Sequence, residues 1–242
     1  MEDIVVSGIV LSSMPYREKD RLIHIFSVEL GKITAILRGV SAPKAKLKFA
    51  GQPFCFARFE LASSKDMYVV KGAELIDTFF DLTLDYDNYI LSSSMLEVCS
   101  IILKPNIIAE NMFLILMRTL QNIVYIKINA KLSIVKFYLS FLEIIGYGLN
   151  FGSCDNCGMK FVGDIKFNSE TGTFRCSACS GGVKINMRDF TTLKIISSTD
   201  IERLHTLKIS EETLKSCIKL LVLDISDRLN VKLKSINLNN YN

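Results

Sequence analysis

Two Cys-x-x-Cys pairs, Cys154-Asp-Asn-Cys157 and Cys176-Ser-Ala-Cys179, are separated by 18 intervening residues. No other feature constrains the fold so sharply. Each pair can turn two sulfurs toward one point, and four thiolates complete a tetrahedron around a divalent ion, the pattern of a structural zinc site. A closed four-sulfur shell leaves no open position for water or substrate. The expected ion is therefore one structural Zn(2+) per chain, held by Cys154, Cys157, Cys176 and Cys179 and serving the fold, not catalysis. Gly158, Gly181 and Gly182 would let the backbone curl around the sulfurs and aim amides at them, and Lys160, Arg175 and Lys184 would offset the negative charge of four thiolates. The total of seven cysteines is odd, and Cys55, Cys99 and Cys217 sit in apolar patterns. Buried single thiols beside a clustered quartet suit a reducing cytoplasm, not a disulfide scaffold.

The periodicity of the chain changes near residue 80 and lapses again over 150–184, where glycine, serine, asparagine and cysteine gather. From Ile4 to about Asp77 apolar residues alternate: Leu22 to Val28, Ile33 to Leu37 after the turn at Gly31-Lys32, Phe54 to Leu61 and Met67 to Val70. Five or so strands in so short a span suit a small closed barrel, which removes exposed edges. A run of acids with no base among them, Asp77, Asp81, Asp85, Asp87 and Glu97, marks the transition. Beyond it the repeat is helical, with Leu132, Val135, Leu139, Leu142 and Ile145 on one face and Leu214, Ile218, Leu221, Ile225 and Leu229 on another. Ser210 before Glu211 and Glu212 reads as an N-cap. The expected fold class is α+β: a barrel domain over 1–80, then a mainly helical domain over 81–242 carrying the four-cysteine lobe at about 150–184. The closing residues 238–242 read as a frayed end.

A chain of 242 residues with 49% apolar content can bury a sizeable core. The run Ile107 to Ile128 is broken by Glu110, Arg118 and Lys127, so it reads as a buried helix and not as a membrane span of roughly 20 apolar residues. MEDIVVSGIV opens on two acids where a secretory signal would carry bases, so a cytoplasmic protein is expected.

The formal charge is only +4, but between Arg17 and Lys48 eight bases face three acids, Glu18, Asp20 and Glu29. The basic character is local. Arg38-Gly-Val-Ser-Ala-Pro-Lys44-Ala-Lys-Leu-Lys48 reads as a loop after a strand, able to bring cations to phosphates. Candidate nucleic-acid contacts are Arg17, Lys19, Arg21, Arg38, Lys44, Lys46 and Lys48. Tyr16, Phe49 and Phe54 lie nearby, and either stack on bases or fill the barrel.

No catalytic constellation is present. The two histidines, His24 on an alternating strand and His205 on a short helical pattern, suit packing and surface roles. No phosphate-binding glycine loop and no deaminase signature occurs, so no enzyme and no small-molecule substrate is expected.

Pro15-Tyr-Arg-Glu-Lys-Asp20, Leu30-Gly-Lys-Ile33, Leu37-Arg-Gly-Val40, the cysteine lobe and Asp227-Arg-Leu-Asn-Val-Lys-Leu-Lys-Ser235 together resemble the bacterial RecO family of recombination mediators, over essentially the whole chain. That resemblance implies an N-terminal OB-fold, binding of single- and double-stranded DNA, annealing of complementary strands, and loading of RecA together with RecR in DNA repair. It also implies contact with the C-terminal tail of single-strand binding protein and a place near the bacterial nucleoid. Many relatives carry a denser basic run after the glycine, where this chain has Val40, Ser41 and Ala42, which implies weaker DNA contact by this loop. The same barrel, basic loop and cysteine quartet would also permit a zinc-ribbon protein that binds RNA or acts as a transcription scaffold, and the helices a protein-interaction module.

Overall fold

The computed structural model describes residues 3–40, 42, 45–64 and 67–236. Lys44 and the closing residues 238–242 therefore lie outside the described residues. The chain divides into two compact units, the first made of the barrel with residues 96–114, the second of residues 87–95 with those from 115 onward.

In the first unit five strands, β1 (Asp3–Tyr16), β2 (Asp20–Ser27), β3 (Gly31–Leu37), β4 (Phe56–Ser64) and β5 (Met67–Asp77), close a barrel in the order β1-β2-β3-β5-β4. This is the small closed barrel that the alternation predicts, and it is OB-like as the resemblance implies. The long β1 pairs with β4 through its first half and with β2 through its second, shifting register between Val10 and Ser12. Inward positions of all five strands, among them Val6, Val10, Ile23, Ile25, Ala35, Phe59 and Val70, form one core. Filling so small an interior with branched side chains leaves no room for a ligand.

Outside the barrel, Phe113 packs edge-on to Phe26 with centroids 5.2 Å apart. Lys32 donates from Nζ to the Ser100 carbonyl at 2.7 Å, a cation on the last turn of helix α1 (Tyr86–Ile102). Gly31 is required at its position: its φ is +69°, and a Cβ there would lie 1.9 Å from the Ile107 carbonyl oxygen.

The run Ile107 to Ile128 is not one buried helix. Only α2 (Glu110–Val124) is helical, and Ile107, Ile108, Tyr125 and Ile126 are exposed at its flanks. Pro105 forms a bridge to Lys32 before the helix, and Lys127 turns left-handed after it. Among the described residues no helix is long and apolar enough to cross a membrane.

The second unit is built on α3 (Ala130–Ile144), α4 (Met187–Ser198) and α5 (Glu211–Leu229). Asn129, Asn186 and Ser210 cap their first turns with side-chain oxygens that accept from Leu132, Arg188 and Thr213 amides. Between α3 and α4 a small sheet of β6 (Ile165–Asn168), β7 (Thr173–Cys176) and β8 (Val183–Ile185) runs in the order β7-β6-β8. Phe174 packs on Phe151, Phe167 and Phe190 at 4.9 to 5.3 Å, which mounts this lobe on α4.

Candidate metal centre and nucleic-acid interface

The four cysteines come from two loops stitched to one hairpin. Cys176 ends β7, paired with Ile165 of β6, and the Asp155 amide donates to the Phe174 carbonyl at 3.0 Å, which ties the first Cys-x-x-Cys loop to that strand. Each loop closes on itself: Gly158 N–H donates to the Cys154 carbonyl at 2.9 Å and Cys179 N–H to the Cys176 carbonyl at 3.2 Å.

All four sulfurs lie within 4.8 Å of one another. The separations are 3.7 Å for Cys154 and Cys179, 3.7 Å for Cys157 and Cys176, and 3.6 Å for Cys176 and Cys179. Ligation at roughly 2.3 Å in a tetrahedron sets an edge of about 3.8 Å, whereas a disulfide needs about 2.05 Å. These separations fit four ligands around one tetrahedral ion and exclude paired disulfides.

The backbone reinforces thiolate character, though not through the glycine amides that the sequence suggests. Cys176 N–H donates to Cys154 Sγ at 3.3 Å, and with the Cys157 and Asn156 amides it pulls the Cys154 thiol down to about 6, against the opposing effect of desolvation. The Met159 amide favours the Cys157 thiolate, but the crowding Cys154, Cys179 and Cys176 sulfurs outweigh it and push that thiol up to about 12. Such mutual resistance to a second and third negative charge is what a bound cation would relieve. By contrast Cys55, Cys99 and Cys217 are buried singly, and desolvation pushes each up to about 12.

Two supporting groups escape a reading of the sequence. Asn156 Nδ2 donates to Cys179 Sγ at 3.3 Å, and Lys166 Nζ donates to the Cys179 and Ser177 carbonyls at 2.8 and 3.1 Å. Lys166 sits on the second loop in the way expected of Lys184, which instead pairs with Asp164 at 2.7 Å. Arg175 holds the same loop through the Ser180 carbonyl, at 2.8 Å. The polar residue inside a Cys-x-x-Cys loop was the one available signal for Asn156; Lys166 depends on hairpin pairing and had none.

At the barrel, Arg17 and Lys19 lie in the β1–β2 turn and Arg38 just past β3. The register Pro15↔Arg21↔Leu37 puts both turns at one end, and Asp20 Oδ1 clamps them by accepting from Gly39 N–H at 2.9 Å. Lys46 and Lys48 follow on a chain of tight turns whose alternate residues Ala45, Leu47 and Phe49 pack on the core. Arg17, Lys19, Arg38, Lys46 and Lys48 are all exposed. Arg21 differs: it is half-buried, with Nε and Nη2 donating to Ser13 Oγ and carbonyl at 2.7 and 3.1 Å.

Phe54 is buried and Phe49 half-buried against the core, so of the three aromatics only Tyr16, with Arg17 over its ring at 5.2 Å, stays at this surface outside the core. His24 is half-buried, bonded to Thr34 Oγ1 at 3.1 Å, and burial with the Lys32 charge holds its imidazole below the ordinary value. His205 is exposed against the Glu202 carbonyl.

Comparison with known proteins follows the same division. Residues 1–79 match the family model described as Recombination protein O N terminal, and residues 83–236 match Recombination protein O C terminal. The chain is similar to the DNA repair protein RecO of Clostridium novyi, 28% identical over 236 residues, 97% of this chain and 92% of that one. The DNA repair protein RecO of Acetivibrio thermocellus is 28% identical over 219 residues, 88% of this chain and 87% of its own. That of Alkaliphilus metalliredigens is 27% identical over 234 residues, covering 94% and 95%.

Proposed function

The chain belongs to the recombination protein O family, and on that premise we propose that it is a non-enzymatic mediator of DNA repair and recombination in the bacterial cytoplasm, near the nucleoid. It binds single- and double-stranded DNA, anneals complementary strands, and with RecR and the tail of single-strand binding protein helps to load RecA. Residues 1–80 are the nucleic-acid domain and 81–242 the helical domain. The observation that carries this reading is the set of five exposed cations, three on two clamped turns at one end of an OB-like barrel and two on the tight turns that follow.

Annealing needs no bond chemistry. Two strands repel through their phosphates, cations held at a surface reduce that repulsion while registers are sampled, and base pairing then drives the reaction and supplies its specificity. Arg17, Lys19, Arg38, Lys46 and Lys48 do this here, joined by Lys44; Arg21 acts by bracing the turn through Ser13. Cys154, Cys157, Cys176 and Cys179 hold one zinc ion, whose closed sulfur shell supplies rigidity to the lobe and no Lewis-acid chemistry.

The test is annealing of complementary oligonucleotides coated with single-strand binding protein, without nucleotide, across a salt series, with RNA strands run in parallel. Acceleration that fades with salt and favours DNA is expected. No acceleration by folded, metal-loaded protein overturns the mediator reading, and an RNA preference moves it to an RNA-binding role.

A further inference from the structure

The four sulfurs of the quartet are chemically alike but not equally reachable. Cys154 is 1% exposed and Cys176 and Cys179 are each 8% exposed, whereas Cys157 is open to solvent. Phe161 shelters the three: it packs on Cys154, Cys176 and Cys179 and meets the Phe190 ring edge-on at 5.0 Å. On the side of Cys157 the loop is open. A Cβ on Gly158 would meet no atom within 4 Å beyond its chain neighbours, and Met159 is 68% exposed.

Ligation to a divalent ion deprotonates every coordinating thiol, so thiolate character does not choose among the four. Access does. Cysteines that oxidants attack are solvent-accessible thiolates with a second sulfur poised beside them. Cys157 meets both conditions, since its Sγ lies 3.7 Å from that of Cys176 on the other Cys-x-x-Cys loop. The remaining two sulfurs are held by donors: Cys154 Sγ accepts from Cys176 N–H and Cys179 Sγ from Asn156 Nδ2, each at 3.3 Å.

We propose that Cys157 is an oxidant-sensing site, the point at which hydrogen peroxide enters the metal centre, with Cys176 as its resolving partner. The Cys157 thiolate attacks one peroxide oxygen, the O–O bond breaks, and a sulfenic acid forms as hydroxide leaves. The Cys176 thiolate then attacks that sulfur, the S–O bond breaks, and a second hydroxide departs. Two thiolates have given two electrons to one peroxide, which ends as two waters once solvent supplies two protons. Each Cys-x-x-Cys loop thereby gives up one ligand. Cys154 and Cys179 remain, and two sulfurs do not complete the tetrahedral shell of a structural site, so the ion is lost and the lobe it braces loosens. The sensor rests on the reading of the quartet as a zinc centre and is independent of nucleic-acid binding.

The test treats the full zinc-loaded chain with hydrogen peroxide, reading released zinc with a chromogenic chelator, while dimedone in a parallel sample traps sulfenic acid for peptide mapping. Zinc should leave in step with the loss of the Cys157 thiol. The first dimedone adduct should fall on Cys157, and without dimedone a Cys157–Cys176 bridge should form. Cys157→His keeps a shell of three sulfurs and one imidazole, a set that zinc accepts, and at equal starting zinc content should slow release at least about tenfold. Mapping of the parent needs no variant and decides by itself if Cys157→His fails to load. A first adduct on Cys154, Cys176 or Cys179, a bridge that omits Cys157 or Cys176, or equally fast release from Cys157→His overturns the proposal. So does zinc retained after Cys157 is oxidised, which leaves the zinc reading standing. Untreated protein without bound zinc overturns that reading and the sensor with it.

Discussion

The cysteine lobe and the cationic end of the barrel are both polar sites on turns, yet they are constructed in opposite ways. In the lobe the supporting groups are already placed: an amide and a carboxamide on sulfur, and Lys166 and Arg175 on loop carbonyls. At the barrel end Arg21 and the Asp20 clamp are fixed and Arg17 lies over the Tyr16 ring, while Lys19, Arg38, Lys46 and Lys48 are exposed to solvent. A metal ion needs ligands held to fractions of an ångström, whereas a phosphate backbone moving through many registers needs charge within reach. Rigid order in one and freedom in the other follow from the two ligands.

The comparison breaks most visibly if the lobe survives without its ion. In Cys154→Ser, or after chelation, metal content should fall from about one equivalent to about zero and residues 150–185 should become open to protease, because structural zinc supplies folding free energy outright. Alkylation followed by mass spectrometry sharpens this. The four lobe thiols should react after chelation, while Cys55, Cys99 and Cys217, each pushed up to about 12 by burial, stay unmodified until the chain unfolds. A protease-resistant lobe after metal loss would mean that the phenylalanine cluster around Phe174 suffices.

The mounting of the lobe gives the next largest effect. Arg228, on α5, pairs with the fully buried Asp224, lies 5.1 Å over the Tyr147 ring, donates to the Tyr147 carbonyl at 2.8 Å, and sits where a Cβ on Gly172 would come within 2.3 Å of its Cζ. Arg228→Met leaves Asp224 buried and alone, a loss of about 3–5 kcal/mol. Burial pushes Asp224 up to about 6 from 3.8 even though Arg228 pulls the other way. Since the folded form holds its proton more tightly than the unfolded form, this group costs nothing below pH about 4, and its cost grows until pH about 6. Across that window the parent should lose on the order of 3 kcal/mol relative to Asp224→Asn, read from denaturant melts at each pH. A parallel pH dependence in the two proteins would remove Asp224 from the account.

How far each region could be read from sequence follows the same contrast. Cys-x-x-Cys spacing is local geometry, strand alternation and the Ser210 cap are local periodicity, and all reappear in the fold. What escaped is held by contacts distant in sequence: Lys166 on the Cys179 loop, Lys32 on the end of α1, Lys184 drawn to Asp164, and the Asp224–Arg228 hub under Gly172. The apolar run Ile107 to Ile128 misled because hydrophobicity does not reveal where Pro105 and Lys127 end a helix. Cation count at the barrel end was legible; which cations are already engaged was not.

Charge reversal at the barrel end ranks below these in folding free energy and shows in binding instead. Arg38→Glu/Lys46→Glu/Lys48→Glu should weaken single-stranded DNA affinity roughly 10- to 100-fold and lower the slope of log affinity against log salt by about 2. Thermal stability should hardly change, as all three side chains are exposed. An unchanged salt slope would move the DNA surface elsewhere on the molecule.

The smallest effect separates bracing from contact within that one surface. Arg21 carries the same charge as Arg38 at the same end of the barrel, but two of its nitrogens are engaged by Ser13. Ser13→Ala keeps every cation and removes one of those two bonds, at about 1 kcal/mol of stability. If Arg21 braces the turn, DNA affinity should drop less than about threefold with the salt slope intact, since no phosphate contact is lost. If Arg21 instead turns to phosphate when DNA arrives, freeing it from Ser13 should tighten binding and steepen the slope. Salt-dependent titrations of Ser13→Ala and Arg21→Lys separate these outcomes: a lysine offers charge without the fork that reaches both Ser13 atoms, so as a brace it should fail in stability and as a contact it should succeed in binding.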